Sequence, residues 1–463
     1  MLLLATPASA QINFQGSIRS RVEVWDWFAA DEGNPYAFSG NLIRLGISEQ
    51  RKTWDWQIEL AAPILLGLPE DAIRPAPQLQ LGFGGIYYGA NDRERNAAML
   101  FPKQAFVRFK GLLGNDSLRL GRFEFMDGTE TTPANATLAA LKRDRIAHRL
   151  LGNFGFTHVG RSFDGAQYAW NGGGLNVTLV GAVPTRGVFQ VDGWGNLPIA
   201  VGYGALTGVT KGSAYDGEWR LFGMYYDDTR DIVKVDNRPA ALRASDFGNV
   251  RIGTFGGHYI GEMRQDAGAL DVLLWGATQA GTWGSLDHRG WAFAAELGWQ
   301  PEGAPAIHPW IRAGYSHSSG DDDPLDDNHG TFFQVLPTAR IYARFPFYNL
   351  MNNRDAFASL ILRPSKTVVV RTDLHGLWLA NRNDSWYQGG GAFQPWSFGY
   401  IARPSSGANR FATLWDISAD WNVVPQATLT GYFAHAWGGG VVKAIYPTSQ
   451  SANLGYVEVT YRF

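Results

Sequence analysis

The tract Asn453–Phe463, NLGYVEVTYRF, ends the chain. Side chains in a strand alternate faces with period two. Gly455, Val457, Val459, Tyr461 and Phe463 therefore share one face, and Leu454, Tyr456, Glu458, Thr460 and Arg462 share the other. One face is apolar and finishes in aromatics; the other is mostly polar. A soluble sandwich strand could carry the same alternation. A strand of this kind closing on a terminal aromatic residue is the mark of an outer-membrane β-barrel, whose outer face meets lipid and whose rims carry aromatic girdles.

The opposite end reads MLLLATPASA, Met1–Ala10. Its leucines and the small-residue Ala8-Ser9-Ala10 fit the end of a signal segment without its basic start. The expected organisation is a truncated signal-peptide remnant over 1–10 and one barrel over 11–463, with no separate plug domain. The sequence has 463 residues, a net charge of −2 and no cysteine. Near-zero charge gives no tropism for nucleic acid. The absence of cysteine removes disulfides, zinc–thiolate sites and cysteine nucleophiles. No apolar run reaches the roughly 18 residues of a membrane helix, since the best, near Leu60–Leu68, is broken by Pro63 and Gly67. Any membrane crossing must then be made by a closed barrel.

The alternation recurs along the chain. In Ile12–Phe28, Phe14, Ile18, Val22 and Val24 oppose Asn13, Gln15, Ser17, Arg19, Arg21 and Glu23. In Thr53–Ala62, Trp54, Trp56, Ile58 and Leu60 oppose Asp55, Gln57 and Glu59. Eight short turns, from the one at Arg51 to Val424-Pro425-Gln426, alternate with nine longer connections at roughly 29–37, 66–102, 126–161, 184–196, 228–249, 279–289, 319–354, 380–409 and 438–452. Seventeen connections predict eighteen strands, an all-β antiparallel barrel with short periplasmic turns and longer extracellular loops. Leu79–Tyr88 also looks strand-like, and is assigned to the second loop because counting it gives an odd number.

Long loops are often functional. LKRDRIAHR, Leu141–Arg149, clusters Lys142, Arg143, Arg145 and Arg149, and reads either as a basic gate or as a solvated helix. GDDDPLDDNHG, Gly320–Gly330, offers Asp321, Asp323 and Asp326 for a structural calcium ion, or is a solvated acidic loop; its spacing misses the EF-hand. Catalytic signatures are missing: HExxH, GxSxG and the P-loop do not occur. Gly82-Phe83-Gly84-Gly85 is not expected to open a helix. His308 and His317 flank a strand without a third ligand, and His158, Ser162 and Asp164 are close only in sequence. The chain is not expected to be an enzyme.

Ser117–Phe125 (SLRLGRFEF), Arg149–Gly165 (RLLGNFGFTHVGRSFDG), Gly330–Asn353 (GTFFQVLPTARIYARFPFYNLMNN) and the terminal YRF resemble the alginate export family of outer-membrane porins. The resemblance implies an eighteen-stranded monomeric barrel that passes an anionic polysaccharide through a positive constriction. The barrel assembly machinery, reading the C-terminal strand, and outer-membrane lipid are the expected partners. A general diffusion porin for small sugars or organic acids is the alternative in the same fold; a soluble all-β binding protein or enzyme is the alternative outside it.

Strand parity places Arg19, Arg21, Arg44, Arg108, Lys110, Arg119, Arg220, Arg251, Arg363 and Arg371 on the inner face. It places as many acids there: Glu23, Asp55, Glu59, Glu218, Asp271, Glu296, Asp373, Asp416, Asp420 and Glu458. A selective pore needs unbalanced charge at its narrow point. Arg21 beside Glu23 and Arg371 beside Asp373 are expected to be neutralised. Arg44, Arg108, Arg119 and Arg149 are left as the leading solute contacts, with Arg19 and Arg145 as further candidates. Alanine at all four leading positions is expected to lower anion selectivity without preventing folding.

Overall fold

The computed structural model describes residues 12–32, 34–338 and 343–463. The expected signal remnant, 1–10, and Gln11, the expected first residue of the barrel, lie outside them. Eighteen antiparallel strands close into a barrel. They are β1 Ile12–Asp26, β2 Tyr36–Gln50, β3 Trp54–Leu66, β4 Phe101–Lys110, β5 Asp116–Phe123, β6 Phe163–Gly172, β7 Leu175–Pro184, β8 Ile199–Lys211 and β9 Tyr215–Asp228. They continue as β10 Val250–Gln265, β11 Gly268–Trp283, β12 Leu286–Pro301, β13 Trp310–Ser318, β14 Asn353–Ser365, β15 Val368–Leu379, β16 Arg410–Val424, β17 Ala427–Gly438 and β18 Ser451–Arg462.

The seam joins β1 to β18, from Ser17 opposite Arg462 to Asp26 opposite Asn453. Phe463 extends it by exchanging backbone hydrogen bonds with Gly16 at 2.8 and 3.0 Å. A Cβ at position 16 would meet the Phe463 ring at 2.6 Å, so glycine is what lets that ring lie flat on the outer wall. The expected faces hold across the seam: Val457, Val459, Tyr461 and Phe463 are exposed outward, and Leu454 and Tyr456 are buried inward. On β12, Trp291 and Trp299 mark the two rims of the outward apolar band. Nine residues inclusive is the length that a tilted membrane strand needs.

Loop lengths are asymmetric, with two departures from expectation. The connection expected at 279–289 is a two-residue turn, Gly284-Ser285, because β11 and β12 pair up to Trp283 and Leu286. The turn after β12 is longer than expected, 302–309. Leu79–Tyr88 does belong to the second loop, but as a helix, α1 Gly82–Ala90. The glycine-rich tract therefore opens a helix after all. Its buried face packs Phe83 and Tyr87 against Phe189, and Phe83 against Trp25.

The loops turn into the barrel rather than away from it. Trp25, Trp27, Phe28, Phe154, Phe345, Phe347 and Trp386, from β1 and four different loops, form a buried aromatic core at the extracellular end. A short hairpin in the eighth loop, Ser385–Gly389 paired with Tyr400–Pro404, braces it. Asp384 ties that hairpin to the seventh loop by accepting from Thr331 Oγ1 at 2.6 Å and from the Asp321 amide at 3.0 Å.

Arginine at Leu274, an exposed outward residue midway along β11, is expected to cost about 2–4 kcal/mol, whereas arginine at Met263, near the periplasmic end of β10, is expected to cost only about 0–1 kcal/mol. Urea titration of the two variants folded into lipid vesicles measures the difference, and equal losses would contradict the depth assignment.

Candidate functional site

The lumen is organised around the third loop, 124–162. Asn135 caps its helix α2, Ala136–Leu141, by accepting from the Leu138 amide at 3.0 Å. The helix runs on through Lys142–Ile146 as a wider π turn. Leu138, Leu141, Ile146, Leu150 and Leu151 are buried against the wall and the seventh loop. Backbone hydrogen bonds from Leu336 to Leu150 and from Gly152 to Leu336, both 2.8 Å, join the two loops inside the barrel. LKRDRIAHR is therefore not a solvated helix on an extracellular loop: it folds into the lumen, with Lys142, Arg145 and Arg149 buried.

Charge fastens the loop in both senses. Its acids meet wall cations: Glu124 with Arg44 at 2.6 Å and Lys103 at 3.7 Å, Asp127 and Glu130 with Arg220 at 3.5 and 3.1 Å, and Asp144 with Arg371 at 2.7 Å. Its cations meet wall acids: Lys142 with Glu218 at 2.7 Å, and Arg145 with Glu296 at 3.7 Å and Asp373 at 4.0 Å. Burial works to raise the Asp144 carboxyl, but Arg371 and Arg143 together hold it well below the ordinary carboxylate range. Arg19 donates to the Gly155 and Thr157 carbonyls, and Arg21 to that of Phe156.

The sequence candidates separate on this frame. Arg21 pairs with Glu23 as expected, and also with Glu458. Arg371 is neutralised, but by Asp144 of the third loop rather than by Asp373. Of the leading four, Arg44 is held between Glu59 and Glu124. Arg108 shares Asp55 with Lys110 at 2.6 and 2.7 Å. Arg149 is fully buried, with its guanidinium over Trp275 and donating to the Arg145 carbonyl at 3.1 Å. It cannot meet a solute in this arrangement, and alanine at Arg44 or Arg149 would disturb the loop as well as the charge. Arg119 is different. It makes no ion pair among the described residues, donates to Gln167 and lies 4.3 Å over Phe123. Arg145 lies over Phe357. Arg251 is a correction: it faces outward, exposed, and pairs with Asp227 at 3.1 Å.

A cavity of about 400 Å³ opens in the periplasmic half between the third loop and β15–β18. Arg19, Arg143, Arg344 and Arg371 line it, together with Asp144, Asp373, Asp416, Asp420 and Glu458. Three pairs cross its wall: Arg344 to Asp420 at 3.0 Å, Arg371 to Asp144 at 2.7 Å and Arg19 to Glu458 at 3.7 Å. Arg143 reaches solvent with 69% of its side chain exposed. Arg344 was not among the sequence candidates, because parity says nothing about a loop residue that descends into the lumen.

Asp321, Asp323 and Asp326 do not form a calcium site. Each accepts from a nearby backbone amide: Asp323 to Asp321, Leu325 to Asp323 and Asn328 to Asp326. No group of three or more metal-ligating side chains is found among the described residues. His158, Ser162 and Asp164 form no triad, since Asp164 faces outward onto Arg122 at 2.7 Å and Ser162 donates to the Lys103 carbonyl.

Replacing Arg220 by alanine would leave Asp127 and Glu130 buried without their wall cation. The expected loss is about 3–5 kcal/mol, with a noisier and larger single-channel conductance as the third loop loosens. Pairing Arg220→Gln with Glu130→Gln is expected to recover at least about 1 kcal/mol relative to the sum of the single changes. Urea midpoints and bilayer current traces check both.

The chain matches the alginate export family over residues 11–455. No curated protein matches it. Among solved structures it is similar to OccK9 (OpdG) of Pseudomonas aeruginosa, with 10% identity, a TM-score of 0.58 and coverage of 98% of each chain. It is also similar to OpdK from the same organism, with 8% identity, a TM-score of 0.55 and coverage of 97% of this chain and 99% of that one. OpdK solved with vanillate aligns with 7% identity, a TM-score of 0.55 and coverage of 97% and 98%. Those likenesses are of fold. The family match extends over nearly the whole barrel, and the closed sheet with its lipid-facing band agrees with it. The chain belongs to the alginate export family and is an outer-membrane β-barrel channel.

Proposed function

We propose that the channel carries a hydrophilic, carboxylate-bearing solute, with an alginate-like polyuronate as the leading form. The observation that carries this reading is the convergence of Arg19, Arg143, Arg344 and Arg371 on one cavity, each already beside a protein carboxylate. A solute carboxylate can displace a protein one from a guanidinium and be displaced in turn. Conduction needs this: binding strong enough to enter and weak enough to leave. The protein's own acids supply the return step, so net charge in the lumen need not be strongly positive. Arginine suits the role because its planar fork takes a carboxylate through two hydrogen bonds. Assembly through the C-terminal strand and action as a monomer belong to the same reading.

A second reading, a small organic acid as solute, is favoured by the modest cavity and by the fold likeness to OpdK, which has been solved with vanillate. Planar-bilayer recording separates the two. Uronate oligomers are expected to interrupt the current at about tenfold lower concentration than neutral oligosaccharides of equal length, a difference of one good ion contact. Arg143→Gln with Arg344→Gln is expected to abolish that difference. Block by an aromatic monoacid alone would favour the small solute, and cation preference with equal block by neutral and acidic oligomers would overturn both.

A further inference from the structure

Charge on the outer wall of a barrel is tolerated only near the membrane interface. At the extracellular rim, two outward arginines are satisfied within the protein: Arg122 by Asp164 and Arg251 by Asp227. Two others are not. Arg354, the second residue of β14, gives one nitrogen to the Ala380 carbonyl at 2.8 Å, while its Nε is buried without a hydrogen-bond partner. Arg410, the first residue of β16, is exposed and donates only to Thr413 Oγ1 at 2.7 Å. Neither makes an ion pair among the described residues.

The register brings the two together. His317 of β13 lies opposite Arg354, Arg354 opposite Trp378 of β15, and Trp378 opposite Arg410. The Arg410 guanidinium sits 5.1 Å over the Trp378 ring, and His317 stacks on Trp291 at 4.8 Å. The outward positions of β13–β16 carry no carboxylate from end to end. Below this row, apart from Thr372 and Thr413, they are apolar or aromatic, with Ile311, Leu360, Leu374 and Ile417 among them. A cationic, aromatic row on top of an apolar wall presents guanidinium N–H groups to the headgroup layer, with acyl-chain contact directly beneath.

We propose that Arg354 and Arg410, framed by His317 and Trp378, form a binding site for the phosphate-bearing headgroup of an outer-leaflet lipid. Phosphate oxygens would take the guanidinium N–H groups of Arg410, and those of Arg354 beyond its buried Nε, as arginine does wherever phosphate is recognised. The apolar wall below fixes the source as a lipid rather than free phosphate. The paired arginines, Arg122 and Arg251, are already occupied and would contribute little.

The test uses the full chain in detergent, titrated with bisphosphorylated lipid A or with the same glycolipid stripped of phosphate, and read by native mass spectrometry. The phosphorylated form is expected to bind at least about tenfold tighter. Arg354→Gln with Arg410→Gln should bring it down to the level of the stripped form, while Arg251→Gln leaves it unchanged. Gel mobility before and after boiling checks that each variant is folded. If the double variant fails to assemble, Arg410→Gln alone, an exposed side chain, should still weaken binding several-fold. Equal binding of the two glycolipids, wild-type affinity in the folded variants, or full displacement by millimolar inorganic phosphate would overturn the site.

Discussion

Hydrocarbon leaves no water for an unpaired amide, and that constraint shapes everything else in this chain. A sheet in lipid can have no edge, so the first strand must find the last. The pairing of β1 with β18, continued by Phe463 on Gly16, meets that demand. Once the sheet is closed, period-two alternation divides the side chains into two solvents. Half face lipid and are apolar by necessity. The other half face a lumen where charge is affordable, and there the chain places its arginines and carboxylates.

A wet interior alone does not explain how those charges are used. The wall carries both cations and acids, and several are matched within the wall, as Arg108 is with Asp55. Many of the rest are matched by the third loop, which brings acids to wall arginines and cations to wall acids. Taking charges out of water is costly unless partners and hydrogen bonds replace the solvent. The loop therefore occupies the lumen in one arrangement, because any slip would misalign several pairs together. Matched charge is the means by which the third loop is held in the lumen.

The strands were legible because their signal is local. Val457 or Trp54 declares its face by its neighbours two residues away, and eighteen strands follow from turn spacing. The connection at 279–289 misled because residues above the aromatic girdle are solvated on a strand as they are in a loop. Arg251 was misplaced for the same reason: near the rim, an outward charge is tolerated. The helix at Gly82–Ala90 was hidden because glycine-rich sequence has poor helix propensity, and it forms where tertiary burial overrides that. At the site, Arg21 with Glu23 could be foreseen, since both lie on one strand. Arg371 with Asp144, and Arg344 with Asp420, join residues far apart in sequence, so no spacing rule reaches them.

The seam has a consequence for how the molecule is made. It pairs Ser17 with Arg462, residues more than 400 apart. Joining distant segments spends chain entropy before any contact repays it, and such topologies fold slowly. The wall cannot close until β18 exists to pair with β1, so the synthesis of β1 and closure are separated in time. Through that interval β1 presents an open edge, with Ile18, Val22 and Val24 on the side meant for lipid. An unpaired apolar edge is an aggregation hazard. The waiting chain must be kept apart from its copies until β18 arrives.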